Sequence, residues 1–363
     1  MTLPYRAYGK PTSNDKLPFQ PKTLPVWKYR LCFWRKYGNI KDRKTMERGI
    51  PMHISEMNTV ACTVPAEAVA RVKGLGCLRD KTTPDCFNCR VLTRNGKITS
   101  AESIAIAEAA ARFGKGEVAM TTRQTIEIQG VPYENIDAMR AFLNEHGLDI
   151  GGTGPKVRPV VSCKGTTCVF GLIDTYSLSE KIHELYYIGY HDVKLPHKFK
   201  IAVGGCPNNC VKPDLNDLGI VGQRVMKRDL SKCRGCKKCQ VEAVCPIKIA
   251  SVKEGKLDTT GCNNCGRCLG KCPFHVCDEF ETGYKVTIGG RWGKRVAQGK
   301  ALEVILPDEK KVLALVEKAI LLFKEQGNPG ERFADTIARI GFEKAQQMLL
   351  TDDILLRKED ILK

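Results

Sequence analysis

The chain has 363 residues, 42% hydrophobic and 27% charged, which excludes wholesale disorder and predicts two or three compact units. No apolar stretch reaches membrane-spanning length, since Glu317 and Lys318 interrupt the best candidate at 312–323, and residues 1–10 are polar, so a soluble, cytoplasmic protein off the membrane is expected. A net charge of +18 predicts anionic partners or a generally solvated basic surface; without a helix-turn-helix pattern, aromatic RNA-binding signature or zinc-finger histidine spacing, no nucleic-acid partner is expected.

Residues 1–72, punctuated by Pro4, Pro11, Pro18, Pro21 and Pro25, read as an extension wrapping onto a body. Regular patterning starts at Arg90: a strand over 90–93, a turn at Arg94-Asn95-Gly96-Lys97, then a helix behind Ser100 that Gly114 ends. Residues 118–129 alternate, with Thr121, Arg123, Thr125 and Glu127 on one face and Met120, Thr122, Gln124, Ile126 and Ile128 on the other, which predicts one strand. A helix over 135–146 completes a small α+β unit, 73–150, with a mostly antiparallel sheet. A second unit, 151–228 with 281–349, is expected to hold a helix at 179–187, strands at 199–203 and 284–288, and helices at 308–325 and 329–349, before a C-terminal tail at 350–363.

Between 229 and 280 cysteines crowd, aromatic residues nearly vanish and Lys and Arg are dense, so this block reads as an insertion. In reducing cytosol the chain's 18 cysteines are better explained by metal ligation than by disulfides. Cys233, Cys236 and Cys239 stand at two-residue gaps, followed by Cys245-Pro246; Cys262, Cys265 and Cys268 repeat the arrangement, followed by Cys272-Pro273. Two-residue gaps in a tight loop point three sulfurs inward, and the fourth thiolate of each cubane comes from the other run. This assigns Cys233, Cys236, Cys239 and Cys272 to one [4Fe–4S] cluster, and Cys262, Cys265, Cys268 and Cys245 to another. Zinc knuckles, the competing reading, use separated Cys pairs rather than triplets each followed by Cys-Pro. A third set, Cys163 with Cys168 and Cys206 with Cys210, fits iron–sulfur or zinc by spacing, and Gly204-Gly205 lets backbone approach something bulky.

These residues resemble the siroheme sulfite and nitrite reductase family, especially its anaerobic and dissimilatory branch, over roughly residues 73–349. The resemblance implies an α+β fold: a ferredoxin-like half-domain, then a siroheme and [4Fe–4S] α/β domain carrying an inserted dicluster ferredoxin domain at 229–280. It implies a third [4Fe–4S] cluster on Cys163, Cys168, Cys206 and Cys210, with Cys210 sharing its sulfur with siroheme iron and Thr122, Gln124 and Asn209 beside the cofactor. It also implies two arginines and two lysines around a small anion. Arg123 lies in the matching Thr-Thr-Arg-Gln segment, Lys198 and Lys200 form the lysine pair, and Arg90 fits the remaining place, with Arg94 in reserve. Such cations would hold sulfite, and the lysines would donate protons as its oxygens leave as water.

The implied reaction is sulfite to sulfide, fed by an acidic donor such as a ferredoxin or a reductase subunit. Nitrite reduction and a purely electron-transferring role are the alternatives. Because the Thr-Thr-Arg-Gln segment occurs once, the complementary half is expected from another copy, making a homodimer or higher homo-oligomer. Cys77, Cys86 and Cys89, with Cys32 or Cys62, would bind another metal or are small buried residues. His275 and Cys277 read as packing residues.

Overall fold

The computed structural model describes residues 62–363, so Cys32 and the extension as far as residue 61 lie outside the described residues. Helix α1 (Ala66–Gly74) leads into strands β1 (Cys77–Arg79) and β2 (Cys86–Val91), the second ending before the turn at Arg94. Helix α2 (Ser100–Phe113) is fixed at its start by a reciprocal cap, in which the Glu102 amide donates to Thr99 and the Thr99 amide to the Glu102 carboxylate. It buries Ala105, Ile106, Ala109 and Ala110, while helix α3 (Ile136–Glu145) buries Ile136, Met139 and Leu143.

The single strand expected over 118–129 is instead a hairpin of β3 (Val118–Met120) and β4 (Ile126–Pro132), closed by Thr121 bonding Thr125 across the turn. Both arms keep the same alternation, which is why pattern alone conceals the turn, and Gln124 turns the corner at φ +59°. The sheet is antiparallel in the order β1-β2-β4-β3. Arg123 thus stands at a hairpin tip aimed away from its own sheet.

The second sheet joins β5 (Val161–Ser162), β6 (Ile201–Gly204) and β7 (Leu218–Lys227) in parallel to the antiparallel strands β10 (Glu279–Ile288) and β11 (Lys300–Leu306). Helix α4 (Thr175–Ile182), extended by a wide turn over His183–Ile188, is the connection between β5 and β6. Helix α5 (Gln240–Val244) and hairpin strands β8 (Ser251–Lys253) and β9 (Lys256–Asp258) belong to the segment that leaves β7 and returns in β10 (Glu279–Ile288). That segment has its own small core of Val241, Ala250, Leu257, Val276 and Cys277 against Met226, with five cysteines packed around it. After β11 (Lys300–Leu306), helix α6 (Glu309–Gln326) supplies the main core, and Phe199, Phe323 and Phe333 meet with ring centroids 5.1 to 5.9 Å apart.

The helix expected over 329–349 is two, α7 (Phe333–Ile340) and α8 (Phe342–Leu350), broken at Gly341 with φ +89°. The expected tail instead forms short helices α9 (Asp353–Leu356) and α10 (Lys358–Leu362), with Ile354 buried and Ile361 and Leu362 packed on the core. Among the described residues no helix is long and apolar enough to cross a membrane.

Candidate active site

The C-terminal ends of β5 and β6 lie side by side, and the loops leaving them carry the third cysteine set, as parallel strands commonly place ligand-binding loops at that end. Gly165 and Gly205 let these loops touch, since a Cβ on Gly205 would stand 2.8 Å from the Gly165 Cα. The Gly205 N–H donates to Cys163 Sγ at 3.1 Å, tying the two loops together at a sulfur. The Cys206 thiol is pushed up by burial first and then by the charges of Cys163, Cys210 and Cys168, which places all four thiols in one electrostatic neighbourhood. Cys210 is exposed and the other three half-buried. Among the described residues, no three His, Cys, Asp or Glu side chains are gathered as a metal-binding group. A glycine-packed loop pair with a backbone donor on sulfur and four cysteines in one neighbourhood has the donor chemistry that fits an iron–sulfur core. Asn209 turns this loop at φ +57°, its amide donating to Asp214 at 2.9 Å.

The other end of the same strands is cationic. Lys198 and Lys200 precede β6, and Arg123 reaches across from the hairpin tip, donating to Asn216 Oδ1 at 2.8 Å, Ile201 O at 3.1 Å and Pro159 O. Gln124, next to it, grips Ser162 by two hydrogen bonds of 2.7 and 2.9 Å, joining the half-domain to the start of the Cys163 loop. Thr122, Arg123, Lys200 and Trp292 line a cavity of about 210 Å³, into which the loop returning from Cys210 also brings Val211 and Lys212.

Three participants were not apparent in the sequence. Arg158, one turn of chain before the Cys163 loop, is enclosed, and its guanidinium falls to about 10, by burial first and then by Arg90. Arg332, from the start of α7, holds the fully buried Asp217 by two 3.0 Å bonds, and Asp217 also accepts from the Lys200 amide. Burial pulls the Arg123 guanidinium to about 10 as well, and pulls Lys200 to about 8, with Arg123 and Arg332 adding to the effect. Lys198 is lowered by burial and by Arg332 and Arg158. The Nε groups of Arg123, Arg158 and Arg332 are buried without a hydrogen-bond partner. Buried donors left over in a cluster with one carboxylate suit a polyanion such as a carboxylate-rich tetrapyrrole or an oxyanion.

Arg90 lies on β2 and pairs with Glu127 at 3.2 Å, close enough to Arg158 to depress it. The reserve Arg94 is elsewhere, paired with Glu102 at 2.6 Å and lining a separate cavity of about 610 Å³ that contains no cysteine.

In the segment between β7 and β10, Cys262 Sγ accepts from Arg228 at 3.2 Å and from the Asn264 amide at 3.4 Å. The Cys277 thiol bonds to Cys268 and, against burial, holds it at about 6 with help from Arg228. Cys277 is therefore buried beside a proposed ligand, whereas His275 is exposed and pairs with Asp278. Cys77 and Cys89 are fully buried cross-strand neighbours, their mutual bond and burial raising Cys89; Cys86 is half-buried.

Two family descriptions match the chain: the nitrite and sulphite reductase 4Fe-4S domain over residues 153–353, and the nitrite/sulfite reductase ferredoxin-like half domain over 79–146. The coenzyme F420-dependent sulfite reductase of Methanocaldococcus jannaschii is 30% identical over 234 residues, covering 63% of this chain but only 36% of that protein. An uncharacterized protein of the same organism is 33% identical, covering 71% of this chain and 89% of its own length. A crystal structure of dissimilatory sulfite reductase I superposes with a TM-score of 0.59 at 22% identity, covering 73% of this chain and 69% of that one, a likeness of fold.

Proposed function

Because this chain belongs to the nitrite and sulphite reductase family, we propose that it is an oxidoreductase that reduces sulfite to sulfide with siroheme and iron–sulfur clusters. The observation that carries this reading is the buried cation cluster, with three arginine Nε donors unspent beside two lysines. On this reading 73–150 is the half-domain, 151–228 with 281–349 holds siroheme and its cluster, and 229–280 is a dicluster ferredoxin domain through which electrons enter. Cys163, Cys168, Cys206 and Cys210 would hold one [4Fe–4S] cluster, with Cys210 the thiolate shared with siroheme, and the two cysteine runs of the insert would hold one each.

Siroheme, when bound, supplies the iron on which the anion is reduced. The chain's own groups supply the rest. Arg90, Arg123 and Arg158 provide fixed positive charge for the oxyanion or for the macrocycle's carboxylates. Lys200, drawn to about 8, stays protonated at neutral pH yet gives up its proton more readily than an ordinary lysine, which suits it to protonate departing oxygen.

Cys210 is exposed and the 210 Å³ cavity is too small for a tetrapyrrole, so a macrocycle on that sulfur would lie on this chain's surface. Lys200 and Gly205 are separated by the extended β6, roughly 16 Å at 3.3 Å per residue. Because the Thr-Thr-Arg-Gln segment occurs once in the chain, the reading would have siroheme shared between two copies, held by the exposed Cys210 of one and the cations of the other.

The test is the visible spectrum of the purified protein, followed by sulfite-dependent oxidation of reduced methyl viologen. Sharp siroheme bands with turnover support the proposal. Iron–sulfur absorption alone would reduce the chain to an electron carrier, and turnover with nitrite but not sulfite would move the substrate.

A further inference from the structure

The two cysteine runs of the insert have unlike surroundings. Around the first stand Lys232, Arg234, Lys237 and Lys238, all exposed, with exposed Lys271 beside Cys272. Lys232 is neutralised by Asp229 at 3.2 Å, but among the described residues Arg234, Lys237, Lys238 and Lys271 have no acidic partner. The second run carries Asn263, Asn264, Gly266 and Arg267 instead, and it is fastened to the body. Arg224 of β7 donates its amide to Asn264 O at 2.8 Å and bridges Cys265, while Gly266 packs on the Arg224 side chain. The Arg267 guanidinium lies 4.3 Å over the ring of Phe170, two residues past Cys168, so this contact joins the second run to the loop of the third cysteine set.

We infer that the first run, through Arg234, Lys237 and Lys238, is the docking face for an acidic one-electron donor protein, and that the second run is the exit toward the Cys168 loop. This rests on the reading above that the insert holds two clusters. Each encounter oxidises the donor by one electron; that electron is gained by the first-run cluster and passed inward, and no atom is transferred. Unpaired cations around a half-buried redox group attract an acidic partner and orient it, which speeds association more than it tightens the final complex. The second run lacks that lysine cluster and is already engaged by Arg224 and Phe170.

The experiment uses the loaded full chain, a reduced acidic 2[4Fe–4S] ferredoxin as donor, and reduced methyl viologen as a small control reductant. Lys237→Glu with Lys238→Glu is expected to weaken ferredoxin binding and lower its oxidation rate at least tenfold at low ionic strength, flattening the salt dependence. Iron content and viologen-driven turnover should stay unchanged. The equal charge change Lys310→Glu with Lys311→Glu, on α6, should alter ferredoxin binding far less. Unchanged binding in the first variant, or equal losses in both, overturns the docking face while leaving the reductase reading intact. An unaltered protein whose insert binds no iron overturns both.

Discussion

Strands β5 and β6 carry different chemistry at their two ends, and the contrast is in how each end is completed. The cationic end is built inward: Arg332 and Asp217 are buried against each other, Arg123 spends its guanidinium on two backbone carbonyls and Asn216, and three arginine Nε donors are buried without a protein partner. The thiol end is built outward, with glycine-packed loops that leave Cys210 exposed. One end thus depends on charges compensating one another in low dielectric, and the other on backbone being able to approach closely. Perturbing each end should therefore fail in a different way.

The largest effect is expected from Arg332→Leu, which strands Asp217 at 0% exposure and should cost about 3–5 kcal/mol in urea unfolding. Adding Asp217→Leu should recover part of that loss, because it removes the stranded carboxylate, while Lys200 and Arg123 lose its compensating charge and keep the recovery incomplete; a double variant as unstable as the single would contradict the account. Gly205→Ala comes next, costing about 1–3 kcal/mol by forcing the two cysteine loops apart. It should also lower iron retained at the third cysteine set while leaving the pH response of the cationic end unchanged.

The smallest effect concerns Lys200. Its folded value of about 8 lies below the ordinary lysine value of 10.5, so between those pH values the unfolded chain holds a proton the folded chain has released. Stability should therefore rise modestly from about pH 8 to 10.5, and below pH 8 the full cost of burying the charge is present. Lys200→Met should flatten that rise, measured by unfolding midpoints across the window. The side chain is half-buried, so solvent screening keeps the change small.

The same contrast decides what was legible in the sequence. The thiol end and the insert announce themselves locally, because Cys163, Cys168, Cys206, Cys210 and the two triplets lie within short loops whose spacing is itself the signal. The cationic end is assembled from distant segments: Arg332 meets Asp217 across 115 residues, a pairing no window of sequence reveals. A lone arginine before a proline carries no signal of its own, although Arg158 lies beside Lys198 once Val157 pairs with Phe199. The hairpin at 121–125 was concealed by an alternation running unbroken through it, and with it the reason Arg123 can reach the second sheet. Gly341 did carry a signal, a glycine inside a helical pattern, and it marks the break between α7 and α8.

The central claim, that the cations of one copy face the thiols of another, is tested most directly by mixing two inactive chains, Lys200→Ala and Cys206→Ser, after dissociation and reassembly with cofactors. Turnover should reappear in the mixture, because a mixed pair contains one site with both intact ends. If the mixture stays as inactive as either parent although mixed pairs are present, the two ends act within a single chain and the account is wrong.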